Sequence, residues 1–341
     1  MRIGAAFEPT GAAFYRGVYP LEAMARRGHH IVWPENDTGH PKLSQLAHCD
    51  VIYVYRAHDD GLRRVLASHR ERGIGIVWDN DDDLSSIPKH SPTYREVGGL
   101  RAQKRFSETV RMGRVADVVT VTTEVLRERY ASTGLDRIEV IDNMLPRRLK
   151  RRRRKHDGVV VGWIAGMEHL ADARALQIPE ALRRLQETHP DVHVECVGVN
   201  LNLRSNYIHH PQIHFLQLPE VMAGFDIGLA PLTDIPFNRA RSSIKVKEYA
   251  ASQVPWLASP VAPYLGLGPD QGGLVVPDGE WFEVLDELVR DSRARKRLAK
   301  AGKRWAKSQT IDEVAERWER VFTEAAEGAR DRMEGRAVAV R

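Results

Sequence analysis

Short apolar runs alternate with helix-like patterns along the first half of the chain. The runs predict strands at 2–6, 30–33, 51–55, 75–78, 115–121 and 138–141, with helices at 20–27, 61–70 and 123–130. Strands that alternate with helices in this way are typical of a parallel sheet with helices on both faces. The first half therefore predicts a doubly wound α/β domain.

The same alternation begins again after residue 158. Strands are predicted at 159–163, 192–197 and 227–232, a further apolar run lies at 214–216, and a helix is predicted near 178–188. A chain of 341 residues fits two domains better than one core. Open parallel sheets bind ligands at the carboxyl ends of their strands. We therefore expect two Rossmann-like domains that face each other across a cleft.

The domain boundaries are placed where the two patterns stop. We expect an N-terminal domain at 1–146, a basic linker at 147–157, a C-terminal domain at 158–309, a terminal helix at 310–327 and a disordered tail at 328–341.

A polar loop and a short helix follow the predicted strand at 227–232. The helix is predicted at 244–251, and Ser242 and Ser243 are good N-cap residues for it. Free amides and the helix dipole at such an N-terminus favour a phosphate. Glu248 would lie one to two turns into the helix, within reach of sugar hydroxyls beyond the phosphates. From spacing alone, an ordinary connection with a solvated loop is the alternative.

This stretch also resembles the donor-binding region of retaining GT-B glycosyltransferases of the family 4 type. One bacterial branch carries a similar DIGLAPL strand, an FN-x-x-x-S-x-x-K loop and an EYAA helix, found here at 226–232, 237–245 and 248–251. The resemblance implies that Glu248 holds the ribose of a nucleotide-sugar. It also implies that the amides of Ser242 and Ser243 take the diphosphate, with Asn238 nearby. At Ala240 the chain lacks a second Glu that the wider family usually has.

The resemblance covers both halves of the chain. A G-x-x-x-Y-R string after the first strand implies that Gly11, Tyr15 and Arg16 face the donor diphosphate and the acceptor. From spacing alone, Arg16 as a surface residue is at least as good an interpretation. The terminal helix is expected to cross back onto the first domain, as it does in the GT-B family.

The turn after the strand at 159–163 contributes two further donor-side candidates, Gly166 and His169. Many family 4 enzymes carry an Arg and a Lys there, which neutralise the diphosphate. Here Arg241 and Lys245, from the later loop and helix, are the candidate substitutes.

Four carboxylates, three of them consecutive, follow the strand at 75–78. A similar D-x-D-D-D-L string in the branch implies that Asp81 or Asp82 orients acceptor hydroxyls. Close carboxylates can also hold Mg²⁺, and an acidic capping loop is a third alternative. Because GT-B enzymes generally work without a metal, we expect no metal site. Arg56 and His58 end the strand at 51–55 and are expected in the same crevice, although a surface position is an alternative for His58.

The positive charge of the chain is local. The formal net charge is +5, from 51 Lys and Arg against 46 Asp and Glu, and the run from Arg147 to Lys155 holds eight of those bases. A solvated hinge is the simplest interpretation of this run. A patch for anionic lipid or nucleic acid is the alternative. The two cysteines, Cys49 and Cys196, are expected to be buried free thiols.

These observations predict a glycosyltransferase that moves a sugar from a nucleotide-sugar to an acceptor hydroxyl with retention of configuration. Arg16, His58, Lys245 and Glu248 are the catalytic candidates, and no cofactor besides the nucleotide-sugar is expected. One alternative is a catalytically silent relative that binds a nucleotide or a partner. Another is a nucleic-acid-binding protein, or a transferase acting on modified DNA. We expect a cytoplasmic protein, with peripheral contact to the inner membrane surface left open.

Overall fold

Two six-stranded parallel sheets form the framework of the protein. The structure is a computed structural model that describes residues 1–7, 11–33, 43–89, 94, 98–148 and 156–339. Within these residues each sheet is built from one half of the chain, with helices between most successive strands. The predicted α/β architecture of two doubly wound sheets is confirmed.

The first sheet has the strand order β2-β1-β3-β4-β5-β6. Its strands are β1 (Arg2–Ala6), β2 (His30–Val32), β3 (Val51–Tyr55), β4 (Gly75–Asn80), β5 (Val118–Val121) and β6 (Ile138–Val140). Its helices are α1 (Tyr19–Arg26), α2 (Leu43–Leu46), α3 (Asp60–Glu71), α4 (Leu100–Gly113) and α5 (Glu124–Ala131), with a π-helical turn at Phe14–Val18 and a 3₁₀ turn at Leu84–Ser86.

The second sheet has the strand order β12-β11-β10-β7-β8-β9. Its strands are β7 (Val159–Ala165), β8 (Val192–Gly198), β9 (Tyr207–His210), β10 (Ile227–Ala230), β11 (Trp256–Ala258) and β12 (Gly273–Val275). Its helices are α6 (Leu170–Ala175), α7 (Ile178–Thr188), α8 (Leu218–Met222), α9 (Pro236–Arg239), α10 (Ile244–Ala251), α11 (Trp281–Arg290) and α12 (Ser292–Ala306).

Short 3₁₀ turns at Met167–His169, Phe215–Gln217, Ala262–Tyr264, Pro269–Gln271 and Ile311–Val314 complete the second half, before the last helix, α13 (Ala315–Ala339).

One strand of the second sheet differs from the sequence prediction. The apolar run at 214–216 falls largely in a 3₁₀ turn, and the edge strand is β9 instead. Its four residues, Tyr-Ile-His-His, are only partly buried. Because an edge strand with two His residues carries no continuous apolar run, the pattern gave no signal for it.

Both faces of the first sheet are covered. Alternate residues of β3 point to opposite sides, so Tyr53 packs against α13 while Ile52 and Val54 face the side of α3 and α4. The indole of Trp318 in α13 meets the Tyr53 ring edge-on, with centroids 5.9 Å apart. Burial on both faces explains why the strands appear in the sequence as continuous apolar runs.

The chain passes between the two domains twice, at adjacent positions. The amide of Leu145 donates to the Gln309 carbonyl, and the amide of Ile311 donates to the Leu145 carbonyl, both at 2.8 Å. Helix α13 follows directly and returns the chain to the first sheet.

The expected disordered tail at 328–341 is corrected by the structure, because α13 continues to Ala339. The apolar stripe of Trp318, Phe322 and Ala325 extends to Ala329, which is fully buried. One turn later Arg332 donates to the buried carboxylate of Asp117. Helical spacing of buried residues thus holds the end of the chain on the first sheet. Residues 340 and 341 lie outside the described residues.

Candidate functional site

The carboxyl ends of both sheets meet at a cavity of about 360 Å³ between the domains. Loops at such strand ends are where open parallel sheets bind ligands. Ten of the residues predicted for the site line this cavity: Gly11, Tyr15, Arg56, Asp81, Asp82, His169, Arg241, Ser242, Lys245 and Glu248.

The amino end of α10 forms one wall of the cavity. Strand β10 ends before Pro231, the loop and α9 follow, and Ser243 is the N-cap residue of α10 without a side-chain capping bond. Among the described residues, the backbone amides of residues 242–245 have no acceptor. Four free donors therefore stand at the start of a helix whose first turn borders the cavity.

Glu248 is held from both domains. The Tyr15 hydroxyl, from the first domain, donates to one carboxylate oxygen, and Lys245 Nζ donates to the other at 2.8 Å. Burial, and then the nearby Glu248 carboxylate, raise the pKa of Tyr15 well above its usual value. Tyr15 is therefore a neutral hydroxyl that acts as a donor. The pair is an interdomain contact at the centre of the cleft.

The wall that the second domain contributes, called the second wall below, also contains a cation, Arg241. A buried carboxylate orients it. Asp172 lies 2.8 Å from Nδ1 of His169, and Nε2 of that ring lies 3.0 Å from Nη1 of Arg241. A guanidinium can only donate hydrogen bonds. The Nε2 atom must therefore accept, which assigns the ring proton to Nδ1 and gives an Asp172–His169–Arg241 chain.

Asp172 itself accepts several hydrogen bonds from neighbouring residues. The amide of Thr233 donates to it at 3.0 Å, the Thr233 hydroxyl donates to the same oxygen, and Asn238 Nδ2 donates at 2.9 Å. Burial alone would raise the pKa of Asp172, but its hydrogen bonds from His169 and Thr233 outweigh burial and lower that pKa. The carboxylate stays ionised and fixes His169 in place.

Arg241 keeps one donor unused. Its Nε is buried without an acceptor among the described residues, and its guanidinium lies 4.9 Å from the Phe237 ring centroid. A buried donor without an acceptor is costly, and such an atom in a binding cavity is satisfied by a ligand oxygen or by water. The positive charge of Arg241 at the cavity wall and the free amides of α10 favour an anionic ligand.

The opposite wall contains a charge cluster in which Arg56 is held between two carboxylates of its own domain. Arg56 Nε lies 2.5 Å from Asp81 and Nη2 lies 2.6 Å from Asp82, while the Tyr55 hydroxyl donates to Asp81 at 2.9 Å. Burial opposes ionisation of Asp81, but the Arg56 charge outweighs it and lowers the pKa of Asp81. The backbone of Arg56 has φ of 57°, a left-handed conformation that is unfavourable for Arg.

Arg16 lies beneath the cleft rather than in its wall. Its side chain is fully buried, with Nε 3.0 Å and Nη2 2.5 Å from the carboxylate of Asp79. It also donates to the Ile141 carbonyl and lies over the Trp318 ring. Because these partners occupy the guanidinium, the structure corrects the expectation that Arg16 faces the phosphates: it is a positioning residue.

Four other predicted residues also lie outside the wall of the cavity. His58 Nδ1 lies 3.1 Å from the Arg56 carbonyl, and Asn238 is buried against Asp172. Gly166 begins the 3₁₀ turn that carries His169, and Ser243 caps α10.

Polar contacts join the two domains around the cavity. Lys247 is buried, and its Nζ lies 2.6 Å from Asp142 and 2.9 Å from the Asn143 carbonyl. Asn143 Nδ2 donates to the Ser242 hydroxyl at 2.9 Å, and the Thr123 hydroxyl donates to the Ala240 carbonyl at 3.0 Å. These bonds fix the position of the α10 amino end relative to the first domain.

The sequence interpretation missed Asp172, Asn143 and Lys247. Asp172 stands three residues after His169, and such a pair on one helical face could have indicated it. No local pattern marks Asn143 or Lys247, because their partners lie about a hundred residues away in the chain.

Two further predictions concern metals and the arginine run. No group of three or more His, Cys, Asp or Glu side chains in the described part of the chain is arranged to hold a metal ion. Of the run from Arg147 to Lys155, only Arg147 and Arg148 are described, and residues 149–155 lie outside the described residues. Cys49 and Cys196 are free and buried.

Comparison with known proteins identifies the fold of the chain but does not assign the chain to a family. No family model matches the chain, and no curated protein matches it. HepE of Anabaena, solved with UDP and glucose, is 14% identical with a TM-score of 0.66, over 94% of this chain and 99% of HepE. Sucrose-phosphate synthase of Thermosynechococcus elongatus is 15% identical with a TM-score of 0.61, over 98% of this chain and 100% of that enzyme.

A third solved structure, TarM, is longer than this chain. It is 12% identical with a TM-score of 0.59, over 83% of this chain, and the chain spans only 58% of TarM. These similarities show that the chain has the GT-B fold, with two Rossmann-like sheets.

Proposed function

From this GT-B fold, we propose that the protein transfers a sugar from a nucleotide-sugar to an acceptor hydroxyl, with retention of anomeric configuration. The observation that carries the proposal is the set of hydrogen-bond donors and cations on the second wall of the cleft, the wall that the second domain contributes. There the free amides at the start of α10, the guanidinium of Arg241 and the ammonium of Lys245 border one cavity with Glu248. Donors of this kind suit a diphosphate, and a buried carboxylate suits the hydroxyls of a ribose.

The proposed chemistry is mainly stabilisation of the leaving diphosphate. Negative charge develops on that group as the glycosidic bond breaks, and fixed donors in a cleft that excludes water stabilise such charge strongly. The Asp172–His169–Arg241 chain holds Arg241 in position before the reaction begins. No rearrangement of this cation is needed as the charge appears.

Asp81 and Asp82 are proposed to orient the acceptor. An efficient general base has a pKa near the working pH, and the lowered pKa of Asp81 makes it a poor one. As an ionised carboxylate it can instead accept hydrogen bonds from acceptor hydroxyls. We propose that the leaving phosphate takes the proton of the attacking hydroxyl, which requires no separate base and is consistent with retention.

A silent nucleotide-binding protein is the second candidate, and one observation favours it. Ala240 occupies the position of the expected second Glu; it is fully buried, and its carbonyl accepts from Thr123. No carboxylate from that position reaches the transferred sugar. Slow hydrolysis of a bound nucleotide-sugar would count against this candidate, and binding without any turnover would support it.

The test is a calorimetric panel of UDP, GDP, dTDP and ADP with their common sugar conjugates. UDP is the first choice, since HepE was solved with UDP-glucose. We expect one nucleotide to bind the wild type and to bind Glu248→Gln at least about tenfold more weakly, because a charged hydrogen-bond acceptor is lost. Glu220→Gln, an exposed carboxylate on α8, is the matched control and should bind as the wild type does. Absence of binding by every nucleotide would contradict the proposal.

A further inference from the structure

Helix α12 carries a stripe of cations on one side. The helix has no acidic residue, and seven exposed cations lie on it or directly after it: Arg293, Lys296, Arg297, Lys300, Lys303, Arg304 and Lys307. With 3.6 residues per turn, these seven positions fall within an arc of about 120°. We call this surface the cationic face of α12.

The opposite side of α12 is packed, so the cationic face cannot turn inward. Leu298, Ala301, Gly302 and Ala306 are buried. A Cβ added at Gly302 would lie 3.1 Å from the Cα of Ala250, so α12 lies close against α10. Arg295, on the packed side, donates to the carbonyls of Leu288 and Val289.

The cationic face is almost free of ion pairs. Among the described residues only Arg297 has a carboxylate within 4.0 Å, that of Asp291 at 3.9 Å, and Asp291 also caps the helix. Elsewhere helical cations have closer partners, such as Arg63 with Asp60 at 3.0 Å. Seven neighbouring positive charges repel one another and disfavour the compact state. A rigid surface of this kind points to an anionic partner.

The stripe continues toward the interdomain crossing. Lys307 is two residues before Gln309, whose carbonyl accepts from the amide of Leu145. Arg147 and Arg148 follow Leu145 closely in the chain, so they lie near the end of the cationic face. Arg147 is partly neutralised by Asp312 at 3.1 Å, and both arginines are exposed.

We propose that the cationic face of α12 docks on an anionic lipid bilayer. Its charges project from one side of one straight helix about 20 Å long, which suits a planar surface. Recognition of nucleic acid generally adds amide, hydroxyl or aromatic contacts to the phosphate contacts. Between residues 293 and 307 every position within the arc is Lys or Arg, so no such side chain stands among the cations. No helix in the described residues is long and apolar enough to cross a membrane, so the contact is peripheral.

Vesicle co-sedimentation of the full chain tests this proposal. Wild-type protein should sediment with phosphatidylcholine vesicles that contain phosphatidylglycerol, and not with phosphatidylcholine alone. Binding should fall between about 0.1 M and 1 M salt because the Debye length shortens about threefold. The variant with Lys296→Gln, Lys300→Gln, Lys303→Gln and Lys307→Gln should bind at least about tenfold more weakly.

The control removes the same number of charges elsewhere. Arg64→Gln, Lys104→Gln, Arg174→Gln and Arg204→Gln are four exposed positions on other elements, and either set changes the net charge from +5 to +1. This control should bind like the wild type. If the Lys variant does not fold, the single exposed change Lys300→Glu replaces it and should also weaken binding.

The proposal would be overturned if the protein bound vesicles equally well with and without phosphatidylglycerol, or if both quadruple variants lost vesicle binding to the same extent. Salt-sensitive binding to duplex DNA that is tighter than binding to vesicles would also overturn it. Loss of binding only when Arg151 to Arg154 are changed to Ser would also contradict it and would assign the contact to the arginine run. Nucleotide affinity, measured in parallel, is expected to be unchanged in the Lys variant. Absence of vesicle binding would therefore not count against the proposed transfer reaction.

Discussion

The two walls of the cleft differ in how their charges are satisfied. In the first domain, Arg56 binds Asp81 and Asp82, and Arg16 binds Asp79, so each cation is matched with carboxylates of the same domain. In the second domain, the amides at the start of α10 and the Nε of Arg241 have no acceptor among the described residues. The second wall also contains matched charges, Lys245 with Glu248 and Arg241 with Glu168, but it keeps backbone amides without an acceptor among the described residues.

This difference explains which residues hold the cleft in shape and which are proposed to bind. Removal of a matched charge should affect stability, because its partner is left buried without compensation. Removal of a spare donor should affect affinity, because the folded state without ligand loses little. The four changes below test this division.

Arg16→Leu should have the largest effect. It leaves the fully buried Asp79 without its cation, which costs about 3–5 kcal/mol in free energy of unfolding. Burial already raises the pKa of Asp79, so part of the cost is relieved by protonation. Thermal and urea unfolding measure the change. The double variant Arg16→Leu with Asp79→Leu should recover part of the loss, and a single variant as stable as the wild type would show that the pair is not structural.

Arg241→Ala should lower affinity for the nucleotide diphosphate with little change in stability, because the carboxylate that it pairs with, Glu168, is partly exposed. Loss of charged hydrogen bonds costs about 1.5–3 kcal/mol, or roughly ten- to hundredfold in Kd by calorimetry. The control, Arg239→Ala, lies two residues away, and among the described residues Arg239 pairs only with the exposed Asp234. Equal effects of the two substitutions would remove the distinction between the walls.

Asp172→Asn should change the pH dependence of stability. The pKa of Asp172 is lowered below its usual 3.8 in the folded state. Its contribution to stability is therefore fully present above that value and is lost as pH falls through the lower folded pKa. Urea unfolding between about pH 6 and pH 3 should show wild type and variant converging only at the acid end. A constant difference across the series would mean that Asp172 is not the titrating group.

Tyr15→Phe should have the smallest effect, about 1 kcal/mol of stability, because one hydrogen bond across the domains is lost. Lys245 still holds Glu248, so nucleotide affinity should change by less than about threefold. The control is Tyr19→Phe, because the hydroxyl of Tyr19 donates to no acceptor in the described part of the chain. A large loss of affinity in Tyr15→Phe would place that hydroxyl in direct contact with the ligand.

The helix at the donor wall was predictable because its signals are local. The sequence prediction of a helix at 244–251 agrees with α10, since Ser242 and Ser243 precede the helix and Pro255 follows it. The placement of Glu248 and Lys245 on one face follows from helical spacing alone.

The place of Arg16 could not be predicted in the same way. It depends on Asp79, which lies 63 residues away on another strand, and on Trp318 of the last helix. The hydrogen bonds that Thr233, 61 residues away, donates to Asp172 were unpredictable for the same reason, although the spacing of Asp172 from His169 is a local signal. Contacts that depend on tertiary packing leave no periodic pattern in the sequence.

Hydrogen–deuterium exchange with and without UDP tests the central claim most directly, with GDP, dTDP and ADP in parallel. If the amino end of α10 holds the diphosphate, exchange should slow in the peptide that covers residues 242–248 for the nucleotide that binds, and Arg241→Ala should weaken this protection. Protection confined to the other wall, around Asp81 and Asp82, or no protection by any nucleotide, would contradict the account.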